Sequence, residues 1–358
     1  MTTREDILRA LERVADPATG KSVVASGMVE GLVVKDGHVG FALEVAAHRG
    51  RDAEPLRKAA EDAVHALPGV LSVTAVLTAH QGKQPEAARP PQPAGIPGVD
   101  SIVAVASGKG GVGKSTVAVN LAIALSRQGL RVGLLDADIY GPSVPRLLGI
   151  RDKPGQGADH KLLPIEKFGI KTMSIGFLVD EATPMIWRGP MVQSALTQMM
   201  NDVHWAPLDV LVVDMPPGTG DAQLTMAQRV PLKGAVIVST PQDLALIDSR
   251  KAIAMFEKTK VPILGLVENM STFVCPSCGH ESHIFGHGGA RETAHRMGAA
   301  FLGEIPLVGS IREMSDAGTP VAATAPASAE AKSYTNLAAE VALRLSTPLR
   351  AAPRIVLE

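Results

Sequence analysis

Five stretches of the chain run apolar and β-branched without a polar residue at every second place: "SIVAVAS", "RVGLLDAD", "LDVLVVDM", "GAVIVST" and "VPILGLVEN". A strand with one wet face alternates, whereas a strand covered on both faces does not, so these runs predict a mostly parallel sheet between helices. Helical patterns lie between them, the first over residues 113–128. Alternating strands and helices predict a doubly wound α/β domain, whose ligands bind at the carboxyl ends of the strands. Ahead of residue 81 the pattern changes. Ile7, Leu8, Leu11 and Val14 fall on one helical face, and "DPATG" (16–20) ends that helix. "GLVVKDGHVGFALEV" holds two strand-like runs around Asp36-Gly37, a hairpin signal. A helix over 54–67 and a strand, "LSVTAVL", complete the order α-β-β-α-β, a small α+β domain. Residues 81–98 carry five prolines in eighteen positions, which fix φ, remove donors and predict an extended linker. The expected division is therefore 1–80, 81–98 and 99–358.

Composition narrows the function classes. The 358 residues carry a formal net charge of −1, so no global field draws the chain to nucleic acid or an anionic membrane. The first residues, "MTTREDILRALERV", lack the apolar centre of a signal peptide, and no apolar run reaches bilayer-spanning length. A cytoplasmic protein with no nucleic-acid or membrane partner is expected. His38 and His48 stand alone and read as surface or satisfied residues. The chain has two cysteines, Cys275 and Cys278, spaced C-x-x-C, which in a reducing compartment points to metal or redox chemistry.

The densest chemistry is "SGKGGVGKST", residues 107–116. Gly108, Gly110 and Gly113 satisfy the dinucleotide fingerprint G-x-G-x-x-G, and with Lys114 and Ser115 they also satisfy the phosphate loop G-x-x-x-x-G-K-[ST]. Asp136, ending the second strand, sits where a ribose-binding acid belongs and favours the first reading. Three features favour the second. Lys114 is placed to reach β- and γ-phosphates and Ser115 to ligate Mg²⁺. "LDVLVVD" ends in Asp214, the carboxylate that a Mg²⁺ site at such a loop needs. "PPGTGD" follows at once, placed to sense a γ-phosphate. A nucleoside triphosphate is expected, cradled by backbone N–H groups from Gly108, Lys109, Gly110, Gly111, Val112, Gly113, Lys114, Ser115 and Thr116 at a helix N-terminus.

"GKGGVGKST" resembles the deviant phosphate loop of the MinD/ParA/nitrogenase-iron-protein group. The resemblance implies ATP, and implies that Lys109 reaches across a homodimer to the partner's nucleotide. "LLDADIYGPSVPRLLG", "WRGPMVQSALTQM", "LDVLVVDMPPGTGDAQLT" and "VENMSTFVCPSCGH" are similar to the Mrp/ApbC iron–sulfur cluster carrier ATPases, with likeness over most of 99–345. That similarity implies a labile cluster passed from scaffold proteins to recipient apoproteins. The first domain resembles the MIP18-type (DUF59) domain, but its loop "AAHRGRDAEP" lacks the cysteine often found there. Asp138 matches the acid that positions or deprotonates the attacking water, Asp136 is left to support Mg²⁺ or its waters, and Asn269 matches the adenine-reading position. Arg188 receives no role.

For the cysteine pair three readings stand. A thioredoxin-like pair opens a helix, and this one follows a strand. A zinc tetrahedron needs four ligands, with His280 and His283 the near candidates. An iron–sulfur cluster commonly takes four thiolates, so two chains must meet. The last reading agrees with the dimer implied by Lys109 and leads to a [4Fe–4S] cluster bridging two subunits. A positioning ATPase of the MinD/ParA kind is the alternative from another class. It calls for a basic amphipathic tail or a basic patch, and the tail "STPLRAAPRIVLE" contains two prolines and ends acidic.

Overall fold

A computed structural model of the chain describes residues 3–17, 19–35, 37–46, 53–80, 95–179 and 189–346. Asp36, the loop with His48, most of the proline-rich stretch, Arg188 and the C-terminal residues lie outside them. The chain divides into two compact units, Met1–Pro91 and Gln92–Glu358.

The first unit has the predicted order. Helix α1 (Arg4–Leu11) is followed by β1 (Val29–Lys35), β2 (His38–Ala46), α2 (Glu54–His65) and β3 (Ser72–His80). Thr3 starts α1 with a capping box shared with Asp6. The helix stops at Leu11, short of "DPATG", although Val14 is still buried. Strands β1 and β2 pair antiparallel and β2 and β3 parallel. Ile7, Leu11, Leu43, Leu56 and Val64 fill the core between sheet and helices. His38 bonds to Ser72 Oγ (2.7 Å), as befits a satisfied surface histidine.

The second unit is built on a nine-stranded sheet. Its elements are β4 (Val99–Ala106), α3 (Lys114–Arg127), β5 (Val132–Asp136), α4 (Val144–Leu148), β6 (Ile165–Lys167), β7 (Ile170–Ser174), α5 (Gly189–Asn201), β8 (Leu208–Asp214), α6 (Asp221–Arg229), β9 (Gly234–Ser239), α7 (Asp243–Lys258), β10 (Ile263–Val274), β11 (Glu281–Ser282), α8 (Gly289–Arg296), β12 (Phe301–Leu307) and three further helices. The strand order is β11-β10-β9-β4-β8-β5-β7-β6, with β12 also on β10. All five predicted runs are central and pair in parallel, while β6 and β11 pair antiparallel at the margins. The chain moves from β4 to one side, through β5 and β7, returns to β8, then crosses to β9. The loop after β4 thus opens into the crevice where direction reverses. Helix α3 carries that loop and buries Leu121, Ile123 and Leu125 almost completely. Burial of each such side chain contributes roughly 1.5–3 kcal/mol.

Candidate functional site

Two glycines explain how the loop 107–113 sits. A Cβ on Gly108 would lie 2.1 Å from the backbone carbon of Asp248, so only glycine lets the loop run against α7. Gly113 precedes α3 with φ +82°, and a Cβ there would lie 2.3 Å from Asn269 Nδ2. That position is closed to other residues by both conformation and space. Ser107 Oγ donates to Lys109 O (2.8 Å), and Gly218 N–H, from "PPGTGD", donates to Ser107 O (3.0 Å). The two loops are therefore joined at their base.

Lys114 is buried with Asp214, its Nζ bonded to Asp214 Oδ1 (2.5 Å) and Ser115 Oγ (3.1 Å). Asp214 Oδ2 is buried with no hydrogen-bond partner among the described residues. A carboxylate oxygen left bare in the interior is costly unless a cation arrives, so the donor set here suits a divalent ion held by Ser115 and Asp214. Asp136 lies beside this pair, fully buried. Its Oδ2 accepts from Ser174 Oγ (2.9 Å) and Val144 N–H (3.2 Å), and its Oδ1 accepts from Asp138 N–H (3.2 Å). Burial, then the charge of Asp214, pushes its carboxyl up to about 7. Both oxygens of Asp136 thus serve protein donors, tying the end of β5 to α4 and to Ser174.

A cavity of about 260 Å³ lies above the loop, and its lining includes Lys109, Lys114, Ser115, Asp138, Ser143 and Pro217. The structure thus brings Lys109 and Asp138 to the phosphate loop. Asp138 is half-buried, and burial raises its carboxyl above the usual carboxylate range. Its Oδ1 also accepts Gly141 N–H (3.3 Å), so the turn-capping geometry is present too. Lys109 has no side-chain partner among the described residues. Asn269 is found beneath the loop, where Nδ2 donates to Val112 O (2.8 Å). It braces the loop, which the sequence reading missed. Its second N–H and its Oδ1 are the atoms left for a base.

The cysteines are elsewhere. Strand β10 runs beyond the sheet, and Cys275-Pro276-Ser277-Cys278 forms the turn before β11 returns. Cys275 N–H donates to His280 O (2.9 Å) and Gly279 N–H to Cys275 O (2.8 Å), a tight knuckle. Cys275 is half-buried and Cys278 exposed. Backbone N–H groups of Ser277 and Cys278, with the Cys278 side chain, hold the Cys275 thiol below its ordinary value, which favours the metal-binding thiolate. Among the described residues, the one close trio of metal-ligating groups is Glu268, His287 and Glu304, and it contains neither cysteine. His283 is not gathered to the thiols, and its ring stacks on His287 at 4.4 Å between centroids. In that neighbourhood Glu268 caps α8 by accepting from Gly288 and Ala290 N–H (both 2.7 Å). No sequence signal beyond an acid before Asn269 announced it.

Residues 98–342 match the family described as NUBPL iron-transfer P-loop NTPase. The chain belongs to that family. Residues 4–76 match a second family, described as iron-sulfur cluster assembly protein. Among relatives of this P-loop NTPase, the mitochondrial iron-sulfur protein required for NADH dehydrogenase of Arabidopsis thaliana is 58% identical over 245 residues, 68% of this chain and 78% of the relative. The iron-sulfur cluster carrier protein of Escherichia coli K12 is 53% identical over 252 residues, 70% of this chain and 68% of the relative. A solved structure of a nucleotide-binding protein from Archaeoglobus fulgidus, in complex with ADP and with cobalt found in it, is 43% identical. It covers 62% of this chain and 87% of its own, with a TM-score of 0.55. Among the described residues, no helix is long and apolar enough to cross a membrane.

Proposed function

We propose that this chain is an ATP-hydrolysing carrier that holds an iron–sulfur cluster between two copies of itself and passes it to recipient apoproteins. The observation that carries the proposal is the cysteine knuckle: it sits on a turn at the surface and offers two thiols, with no third metal-ligating group gathered to them among the described residues. The named relatives, an iron–sulfur protein and a cluster carrier, support the cargo.

In this reading ATP enters the cavity and Lys114 leaves Asp214 for the β- and γ-phosphates. Mg²⁺, when bound, neutralises phosphate charge, and Ser115 and Asp214 are the groups suited to hold it. Asp136 serves as the clamp behind them. Asp138, its carboxyl raised above the usual range by burial, orients or deprotonates the attacking water. Lys109 reaches the partner subunit's nucleotide, and Asn269 braces the loop while its remaining amide atoms meet adenine. Cluster transfer from scaffold to apoprotein follows changes in the switch loops, with Cys275 and Cys278 of both subunits as the four thiolates. The division into 1–80, 81–98 and 99–358 belongs to the same reading, supported by the two compact units.

Anaerobic reconstitution with ferrous iron and sulfide, followed by metal analysis and mass measurement, tests the proposal. The expected result is about four iron and four sulfide per dimer. About one zinc per monomer with no iron uptake would replace the bridged cluster by a structural zinc.

A further inference from the structure

A larger cavity, about 670 Å³, opens on the other side of α4 from the nucleotide cavity. Arg146, Arg151 and Lys153 line it, and the floor includes Ile150 and Phe177. Among the described residues none of these three cations makes an ion pair or a side-chain hydrogen bond. The carboxylate on the wall, Asp316, is occupied by Arg312 (2.8 Å). A fourth cation, Lys167, donates to Gly149 O at the rim (2.9 Å). In a chain whose net charge is −1, three cations without ion-pair partners among the described residues, set around one concave surface, form a local field, not a general one.

We propose that this cavity docks an acidic segment of a protein partner. Its carboxylates meet Arg146, Arg151 and Lys153 around the cavity. Nucleic acid fits less well, because the lining aromatic, Phe177, is only 4% exposed and offers no face for base stacking. The position adds a second consequence. Ser143 and Leu147 line the nucleotide cavity, while Pro145, Arg146 and Gly149 line this one, so α4 is a wall shared by both. The N–H of Val144 is held by Asp136, which faces the Lys114–Asp214 pair. A nucleotide that draws Lys114 away changes the charge around that anchor, so docking and nucleotide binding are coupled. By linkage the coupling is reciprocal.

The test reads binding alone and needs no cluster, so it fails or succeeds separately from the carrier reading. A fluorescein-labelled glutamate-rich peptide is titrated with the full chain, and anisotropy is followed. Arg151→Glu with Lys153→Glu is expected to weaken binding about tenfold or more, and added salt to weaken it further. Arg250→Glu, a reversal away from the cavity, is the control and should leave affinity unchanged. A non-hydrolysable ATP analogue with Mg²⁺ should shift the peptide affinity about threefold or more. Equal losses in the control and the cavity variant overturn the site. Displacement of the peptide by tripolyphosphate at lower concentration than by unlabelled peptide overturns the choice of partner. An affinity indifferent to the analogue overturns the coupling.

Discussion

The phosphate loop and the cysteine turn are both short, both rich in turn-forming residues, and both placed after a strand of the same sheet. Their surroundings differ. Around the loop Lys114, Asp214 and Asn269 are all buried, and each is tied to another group. Around the cysteines Pro276, Ser277, Cys278, Gly279 and His280 are exposed, and the backbone bonds of Cys275 and Gly279 stay within the turn. Stabilising charge on a transferring phosphoryl group rewards donors fixed beforehand, so the loop is built into the sheet. A cargo that must leave calls for the opposite, a ligand set that few other contacts hold. The pair also shows why counting motifs is not enough: one motif is locked into the packed sheet and the other stands on an exposed turn.

The sharpest way to break this comparison is to remove one site and ask whether the other notices. Cys275→Ser or Cys278→Ser should abolish iron uptake in anaerobic reconstitution while ATP turnover stays within about twofold of wild type. Loss of nucleotide binding in either variant would show that the hairpin and the loop are one unit.

Lys114→Ala should lower ATP turnover by about 10²–10³-fold, because a fixed positive charge is lost from the transition state. It also leaves Asp214 without its cation, and breaking a buried pair of this kind costs roughly 3–5 kcal/mol. Denaturant titration beside the ATPase assay separates the two effects. Lys114→Arg keeps the charge, so it should recover stability more than turnover.

Gly113→Ala meets Asn269 Nδ2 at 2.3 Å and places a side chain at φ +82°. A loss of about 1–3 kcal/mol is expected, measured by denaturant midpoint. Combining it with Asn269→Ala should relieve part of that loss, since the clash is with the amide. Full additivity of the two changes would show that the cost of Gly113→Ala does not come from the Asn269 amide.

The last effect concerns pH. Asp136 has a folded-state value near 7, above the usual carboxylate range, so the native chain holds a proton that the unfolded chain releases. Its contribution to stability is therefore most favourable at low pH and declines as pH rises from about 4 to about 7. Asp136→Asn removes that decline. The melting temperature of the variant relative to wild type should rise by a few degrees across the same window, about 4 to 7. A flat difference would mean that burial does not raise this carboxyl.

Legibility followed the range of the interactions involved. The five central strands could be read because burial on both faces removes polar residues from a run, whatever lies around it. The strands β6, β7 and β12 could not. "IEKFGIKTMS" mixes charges into its apolar positions near the sheet margin, and β12 is interrupted by Gly303, Glu304 and Pro306. Helix α3 was placed to within a residue at each end, because glycine before it and a basic last turn are local signals.

By itself the sequence determined what depends on neighbours along the chain. It specified the glycine spacing that lets backbone donors converge, the lysine and serine that follow, and the arithmetic of two cysteines. The tertiary structure decided what depends on residues far apart in sequence. Lys114 meets Asp214 across 100 positions and Asn269 meets Val112 across 157. Only folding showed Asp136 to be a clamp between Ser174 and α4, and only folding set three cations around one cavity. The reason is physical: hydrogen-bond partners and burial are properties of the packed sheet, and no local pattern of residue types encodes which distant side chain will fill a given space.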